Sequence, residues 1–207
     1  VLGLVEWMRE YNADRPRAER LRFYGVDAQF MVGPAAALRD YLADVDPGYL
    51  PTVADDLDVL AAEHFWTHGV EGEEATAVQT KLDRAADLVE TLDARFDDER
   101  ARYVEASSCE ELELARRHLR VLDQARETKQ ARLDDDGVAA YEARDGAMAA
   151  NVAWLLDHED EDRIAVWAHD GHVATDRVET EGGLAATLGV ALRQRFGDGY
   201  YPLSVQF

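Results

Sequence analysis

Apolar residues follow two patterns along the chain, short continuous runs and repeats at helical spacing. The changes between these patterns mark the boundaries of its parts. Short apolar runs predict buried strands over 21–28 and 163–169, and a last strand is predicted over 200–207. Between the first two, from about 34 to 135, apolar residues recur at helical spacing. The order predicts an α/β fold with a small, mostly parallel sheet and a large helical insertion between the first and second strands.

Residues that break helices divide the helical regions into separate elements. Asp, Pro and Gly occupy 46–48, glycines stand at 69 and 72, and three aspartates precede Gly137. Ser107 and Ser108 offer an N-cap for the helix that follows them. The predicted helices cover about 1–12, 34–46, 51–68, 74–106, 109–133, 138–157 and 184–196.

Length and charge narrow the class of protein. The 207 residues, 47% of them hydrophobic, allow a single domain over 1–207 with its own core. Asp and Glu number 43 against 22 Lys and Arg, a net charge of -21, which disfavours binding to nucleic acid or to anionic membrane surfaces. Dispersed acidic residues with only two lysines, Lys81 and Lys129, are typical of a halophilic protein, because concentrated salt screens their repulsion.

The sequence also indicates the cellular compartment of the protein. No run of about 18 apolar residues occurs, so no membrane span is predicted. Glu6 and Arg9 interrupt the first apolar stretch, which disfavours a secretory signal. Cys109 is the only cysteine and cannot form a disulfide within the chain. These features together predict a cytoplasmic protein.

The strongest candidate for chemistry is the segment WAHDGH at 167–172, directly after the second apolar run. His169 and His172 would lie at the carboxyl end of a buried strand, where imidazoles suit general acid–base catalysis. The same histidines with Asp170 or Asp176 would also suit a metal ion. Two loop histidines that only hydrogen-bond to nearby groups are the third interpretation.

Three further groups carry weaker signals. His64 and His68 lie four residues apart on a predicted helix and could chelate a metal, although the aromatic residues beside them favour a half-buried helix end. Arg144 and Asp145 either form an ordinary charged first turn or aim an arginine at the cleft. Asp27 ends the first predicted strand, where α/β sheets place functional groups. No G-x-S-x-G motif or glycine-rich phosphate loop occurs, which disfavours the usual serine hydrolases and nucleotide-binding proteins.

Five segments resemble, in order, those of the erythromycin esterase family. They are LVEWMREYN at 4–12, RFYGVD at 22–27, ARDGAMAANVAWLL at 143–156, RIAVWAHDGHVA at 163–174 and FGDGYY at 196–201. The resemblance is strong at both ends of the chain and loose through the helical insertion. Several matches in the same order are more specific than any one of them.

The resemblance implies an α/β core with a helical insertion and a cleft at the strand ends. Characterised family members hydrolyse the macrolactone ester of erythromycin-type antibiotics without a metal, and a histidine acts as general base on the attacking water. It therefore implies a small-molecule ester substrate, no cofactor, and His169 as the first and His172 as the second candidate for the base. Arg144, Asp145 and Asp27 are the candidates for substrate binding.

Two departures from the family pattern qualify this expectation. Family members carry an upstream GExxHG-type segment that supplies a histidine and a glutamate to the cleft, and they continue beyond the position of Phe207. Neither part occurs in 1–207. The resemblance therefore implies that 1–207 is the central part of an esterase-like domain, with part of a catalytic site. The alternative function is a non-catalytic small-molecule or metal-binding protein on the same scaffold.

Overall fold

The computed structural model describes residues 2–16, 19–29, 31–61, 75–159, 163–180 and 182–203. The α-helices in these ranges are α1 (Leu2–Asn12), α2 (Val32–Val45), α3 (Ala54–Leu60), α4 (Ala75–Asp98), α5 (Arg100–Ala106), α6 (Cys109–Leu133), α7 (Gly137–Glu159), α8 (Asp170–Val173) and α9 (Leu188–Phe196). Short 3-10 helices occur at Leu50–Thr52 and Gly197–Gly199, and the strands are β1 (Val178–Thr180) and β2 (Gly183–Ala185). None of the described helices is long and apolar enough to cross a membrane.

Side-chain caps explain where two of the helices begin. The Ser108 hydroxyl accepts the Glu111 N–H at 3.0 Å and caps α6, as predicted. The Thr187 hydroxyl accepts the Val190 N–H at 3.0 Å and caps α9, which therefore starts later than the predicted residue 184. The predicted helix over 74–106 is two helices, α4 and α5, with Glu99 between them.

Helices α2 to α6 share one hydrophobic core, so the region predicted to be helical is helical where the structure describes it. The stripe that α4 buries follows the helical period and consists of Val78, Leu82, Ala85, Leu88, Leu92 and Phe96. The facing stripe of α6 includes Leu112, Ala115, Leu119 and Leu122. Removing these apolar surfaces from water is the main contribution to the stability of this part of the fold.

A second apolar cluster joins α7 to α9. Its buried members are Met148, Ala149, Val152, Leu188 and Leu192. Val26 and Val166, from the two segments predicted to be strands, pack against this cluster. Both segments therefore contact the same cluster of α7 and α9, and the Asn151 side chain on α7 also donates to the Val26 carbonyl oxygen at 2.7 Å.

The described part of the chain does not contain the predicted, mostly parallel sheet. Its sheet has two short strands, β1 antiparallel to β2, with Val178 opposite Ala185. Residues 22–25 and 163–168 form no strand and make no hydrogen bond to another backbone group within the described ranges. A strand exists only where a neighbouring backbone supplies hydrogen-bond partners, and the described residues supply none for these two segments.

The two segments are also less buried than predicted. Phe23 is 62% exposed and Trp167 is 70% exposed, although both belong to runs predicted to be buried. Val26 and Val166 are partly buried against the cluster of α7 and α9, and Ala28 is buried in the helical core. Of the third predicted strand, residues 200–203 are irregular and 204–207 lie outside the described residues.

A polar cluster connects the end of α2 to α4 and α5. One carboxylate oxygen of Asp46, which is buried, accepts hydrogen bonds from the Tyr103 hydroxyl at 2.6 Å, Arg95 Nη2 at 2.7 Å and Arg102 Nη2 at 2.6 Å. Burial alone would raise the pKa of Asp46, but these hydrogen bonds outweigh it and hold the pKa below its usual range. The ionised carboxylate therefore stabilises the fold.

Replacing Asp46 with asparagine is expected to lower the free energy of unfolding at neutral pH by about 2 kcal/mol, since hydrogen bonds to a charged group contribute about 1.5–3 kcal/mol. Because the native pKa of Asp46 is lowered, its contribution is fully present above the unfolded-state pKa of about 4 and is lost as the pH falls from there through the native pKa. Urea unfolding at neutral pH and at about pH 3 measures this, and the gap in unfolding free energy between wild type and variant should narrow at the lower pH. Asp93→Asn is the control, because Asp93 pairs with Arg116 at the surface. A gap that stays constant with pH would contradict the prediction.

Candidate functional site

The segment that carries both predicted histidines forms one helical turn, α8, after an irregular stretch. His169 is the N-cap of this turn, and its Nδ1 accepts the Gly171 N–H at 3.1 Å. A Cβ on Gly171 would lie 3.3 Å from the same nitrogen, so glycine permits the close approach. The His169 side chain faces solvent, and His172 lies three residues later on the same turn.

His172 is held by a buried carboxylate on α7. Its Nδ1 lies 2.8 Å from Oδ1 and 3.0 Å from Oδ2 of Asp145. Asp145 is 1% exposed, whereas the His172 side chain is 17% exposed. The imidazole is therefore held at Nδ1 by a buried carboxylate, while its side chain remains partly exposed.

Asp145 also holds the start of α9. Its Oδ2 accepts the Leu188 N–H at 2.7 Å. One residue earlier, the Thr187 hydroxyl donates to the carbonyl oxygen of Ala174 at 2.6 Å. Since Ala174 directly follows α8, these contacts make α7, α8 and α9 meet around His172.

Tyr141, one helical turn before Asp145 on α7, supports the face of the His172 ring. The two rings are stacked, with centroids 5.5 Å apart and planes 19° apart. Burial, and then the nearby Asp145 carboxylate, raise the pKa of Tyr141, so its hydroxyl stays protonated and donates to the Gly171 carbonyl oxygen at 3.3 Å. The helical period could have identified this residue from the sequence, because it is four residues from Asp145.

Arg144 and Asp27 form a two-bond ion pair between α7 and the end of the first irregular segment. Arg144 Nε donates to Oδ1 of Asp27 at 3.0 Å, and Nη2 donates to Oδ2 at 2.6 Å. The hydrogen bonds from Arg144 to Asp27 raise the pKa of the guanidinium, against the opposing effect of burial. Both side chains remain partly exposed.

The structure therefore divides the five predicted site residues into three groups. Asp145 binds His172, and Arg144 binds Asp27. Within the described part of the chain, no side-chain hydrogen bond connects His169 to any of these four residues, although the His172 backbone N–H donates to the His169 carbonyl oxygen at 2.8 Å. Asp145 is too deeply buried, and its two oxygens are too fully engaged, to bind a substrate directly.

Two contacts at this site were not predicted from the sequence. Gly189, the second residue of α9, lies so close to α8 that a Cβ there would be 2.3 Å from the carbonyl oxygens of both Val173 and Ala174. The capping hydroxyl of Thr187 is the other. A glycine within a predicted helix carried no local signal of this contact, which depends on how two distant elements pack.

The predicted metal sites find no support among the described residues. Within the described ranges, no group of three or more His, Cys, Asp and Glu side chains is arranged to hold a metal ion, and this applies to His169, His172, Asp170 and Asp176. The other predicted pair, His64 and His68, lies outside the described residues.

Comparison with known proteins gives one family and several related folds. The family model described as Erythromycin esterase matches residues 1–207, the whole chain. No curated protein matches the chain.

Solved structures with a similar fold include a Bacillus cereus protein, with a TM-score of 0.77 and 21% identity over 96% of this chain and 47% of that one. A succinoglycan biosynthesis protein has a TM-score of 0.71 and 19% identity, over 96% of this chain and 46% of that one. A mutant of erythromycin esterase EreC in its open conformation has a TM-score of 0.64 and 18% identity, over 93% and 49%. The chain thus shares their fold and spans about half the length of each.

Proposed function

Because the chain belongs to the erythromycin esterase family, we propose that it is an esterase-type hydrolase, or the part of one that carries the histidines. The reaction is hydrolysis of a carboxylic ester, with a macrolactone as the substrate class named by the family. One observation carries the proposal: the buried Asp145 holds the His172 imidazole at Nδ1, and the His172 side chain keeps 17% exposure. A histidine in this arrangement suits a general base.

Either histidine can serve as the base in this proposal. His169 is the first candidate from the resemblance, and the contacts favour His172. Of the two, only His172 contacts a carboxylate within the described residues, and a carboxylate stabilises the imidazolium that forms when the base takes a proton from water. His169, which is exposed three residues away, is then available to hydrogen-bond the substrate or the developing oxyanion.

Arg144 and Asp27 supply the proposed substrate contact. Two N–H groups of Arg144 bond to Asp27, which fixes the plane of the guanidinium. The remaining Nη1 can donate to an ester carbonyl and polarise it toward attack. The net charge of -21 disfavours anionic substrates and favours neutral or cationic esters.

Replacing His172 with alanine is expected to lower ester hydrolysis at least about 100-fold, the usual contribution of a positioned general base. The assay uses the purified chain in concentrated KCl, with erythromycin and a simple activated ester as substrates. His169→Ala is expected to lower hydrolysis too, by less if it only binds the oxyanion.

The control is His158→Ala, since His158 stacks on Trp154 with centroids 4.2 Å apart, outside this group of residues. That variant should keep wild-type activity. Full activity in both His169→Ala and His172→Ala would refute the proposed site. No hydrolysis by the wild-type chain would refute catalysis by this chain on its own.

A further inference from the structure

We propose that Asp145 is a positioning residue that holds the His172 proton on Nδ1 and leaves Nε2 unprotonated for catalysis. This deepens the proposed function and rests on it. Asp145 was expected from the sequence to bind substrate, and its burial and contacts give it this different role.

The contacts of the carboxylate determine which ring nitrogen carries the proton. An ionised carboxylate only accepts hydrogen bonds, so the ring nitrogen 2.8 Å from Oδ1 must be the one that donates. Oδ2 also accepts the Leu188 N–H at 2.7 Å, so both carboxylate oxygens are placed as hydrogen-bond acceptors. In a neutral imidazole with its proton on Nδ1, Nε2 carries the free lone pair.

Asp145 is well placed to keep this geometry. It lies in the middle of α7, and it contacts the first residue of α9, a helix of nine residues whose N-terminal end favours a negative charge. Tyr141 stacks on the His172 ring and limits its rotation. Asp145 therefore holds the ring at Nδ1, and Tyr141 covers one face of it. Among the described residues, no hydrogen bond reaches Nε2.

His169 provides an internal contrast, because its contacts require the opposite tautomer. Its Nδ1 accepts the Gly171 N–H at 3.1 Å, so in the neutral ring the proton lies on Nε2. At Nε2, His169 then presents an N–H donor, whereas His172 presents a lone pair. Two histidines three residues apart would thus have different roles, donor and base.

The proposed reaction balances in two proton transfers. As a water oxygen attacks the ester carbonyl carbon, Nε2 of His172 takes a proton from that water, and the imidazolium is paired with Asp145. When the C–O bond to the alcohol breaks, Nε2 returns the proton to the leaving oxygen. The products are the carboxylic acid and the alcohol, and no other reactant is consumed.

Nitrogen NMR of the full chain with ¹⁵N-labelled histidine tests the proposal without any enzyme assay. Long-range ¹H–¹⁵N correlations of the neutral rings should show His172 as the Nδ1–H tautomer and His169 as the Nε2–H tautomer. The signals that disappear in His172→Gln and in His169→Gln give the assignments. A wild-type His172 in the Nε2–H form would overturn the proposal.

The variant Asp145→Asn tests the cause of the tautomer. The asparagine oxygen can still accept the Leu188 N–H, but its NH₂ then faces Nδ1 of His172 and forces the proton to Nε2. We expect the His172 tautomer to reverse and kcat to fall about 10²–10⁴-fold with little change in KM.

Glu142→Gln is the matched control, because Glu142 lies on the same helix and accepts the Ala186 N–H at 2.8 Å without contacting His172. It should change neither the tautomer nor kcat. An unchanged tautomer in Asp145→Asn would overturn the proposal, as would a reversal in Glu142→Gln. If the wild-type chain hydrolyses no ester but its His172 is the Nδ1–H tautomer and reverses in Asp145→Asn, the positioning role holds and the proposed function fails.

Discussion

A chain with alanine in place of Gly189 is expected to lose about 3 kcal/mol or more of its free energy of unfolding, the upper end of what overpacking usually costs. The added Cβ would be 2.3 Å from the carbonyl oxygens of Val173 and Ala174. Both neighbours are backbone atoms, so they cannot turn away as a flexible side chain could. Either α9 separates from α8 or the turn that carries His172 moves.

The backbone around this contact is held from several sides. The Thr187 hydroxyl donates to the Ala174 oxygen at 2.6 Å, and the Tyr200 hydroxyl donates to the Val173 oxygen at 2.8 Å. Moving α8 away from Gly189 would break these hydrogen bonds. We therefore expect Gly189→Ala also to separate Asp145 from His172. The Nδ1–H tautomer of His172 should then give way to the Nε2–H tautomer or to a mixture of the two.

Urea unfolding of Gly189→Ala measures the effect, and Gly146→Ala is its matched control. Gly146 lies on α7 beside Asp145, and a Cβ there would meet nothing within 4 Å. Since alanine favours a helix over glycine by about 1 kcal/mol, Gly146→Ala should be neutral or stabilising. Equal stability of the two alanine variants would contradict the close contact at Gly189.

Replacing Phe96 with alanine is expected to lower the free energy of unfolding by about 3–5 kcal/mol. Phe96 has 0% exposure at the centre of the helical core. Its ring lies edge-on to Tyr41 and Tyr103, with both centroids 6.0 Å away. The substitution removes the transfer free energy of the ring and leaves a cavity that two rigid aromatic neighbours cannot easily fill.

The matched control for Phe96→Ala is Phe23→Ala, which removes the same side chain from a position that is 62% exposed. Urea midpoints for the two variants compare the same chemical change at a buried and an exposed site. We expect the control to cost less than about 0.5 kcal/mol, as exposed substitutions usually do. A similar loss of unfolding free energy in both variants would show that Phe23 is buried in solution, and it would contradict the larger effect predicted for Phe96.

The helical character of the region from α2 to α6 could be predicted from the sequence because its evidence is local. On α4 the buried residues Val78, Leu82 and Leu92 recur with the helical period, and any helix with that stripe must bury it. The Ser108 cap is likewise a signal within four residues of its partner. Such patterns need no knowledge of which distant element completes the core.

The site was only partly predictable, because neighbouring residues on a helix point in different directions. Arg144 and Asp145 are consecutive, and the sequence assigned both to substrate binding. Successive side chains on a helix are turned by about 100°. Arg144 therefore reaches Asp27, whereas Asp145 turns inward to His172, and these partners come from distant parts of the chain.

The sequence by itself determined where helices form, that two histidines follow an apolar run, and which family the segments resemble. Only the tertiary structure decided that Asp145 lies behind His172, that Gly189 touches α8, and that the segments at 22–25 and 163–168 form no sheet within the described residues. The physical reason is the range of the interactions. Helical hydrogen bonds and caps join residues three or four apart, whereas sheet pairing, close backbone contacts and a carboxylate–imidazole pair depend on groups that the chain brings together only when it folds.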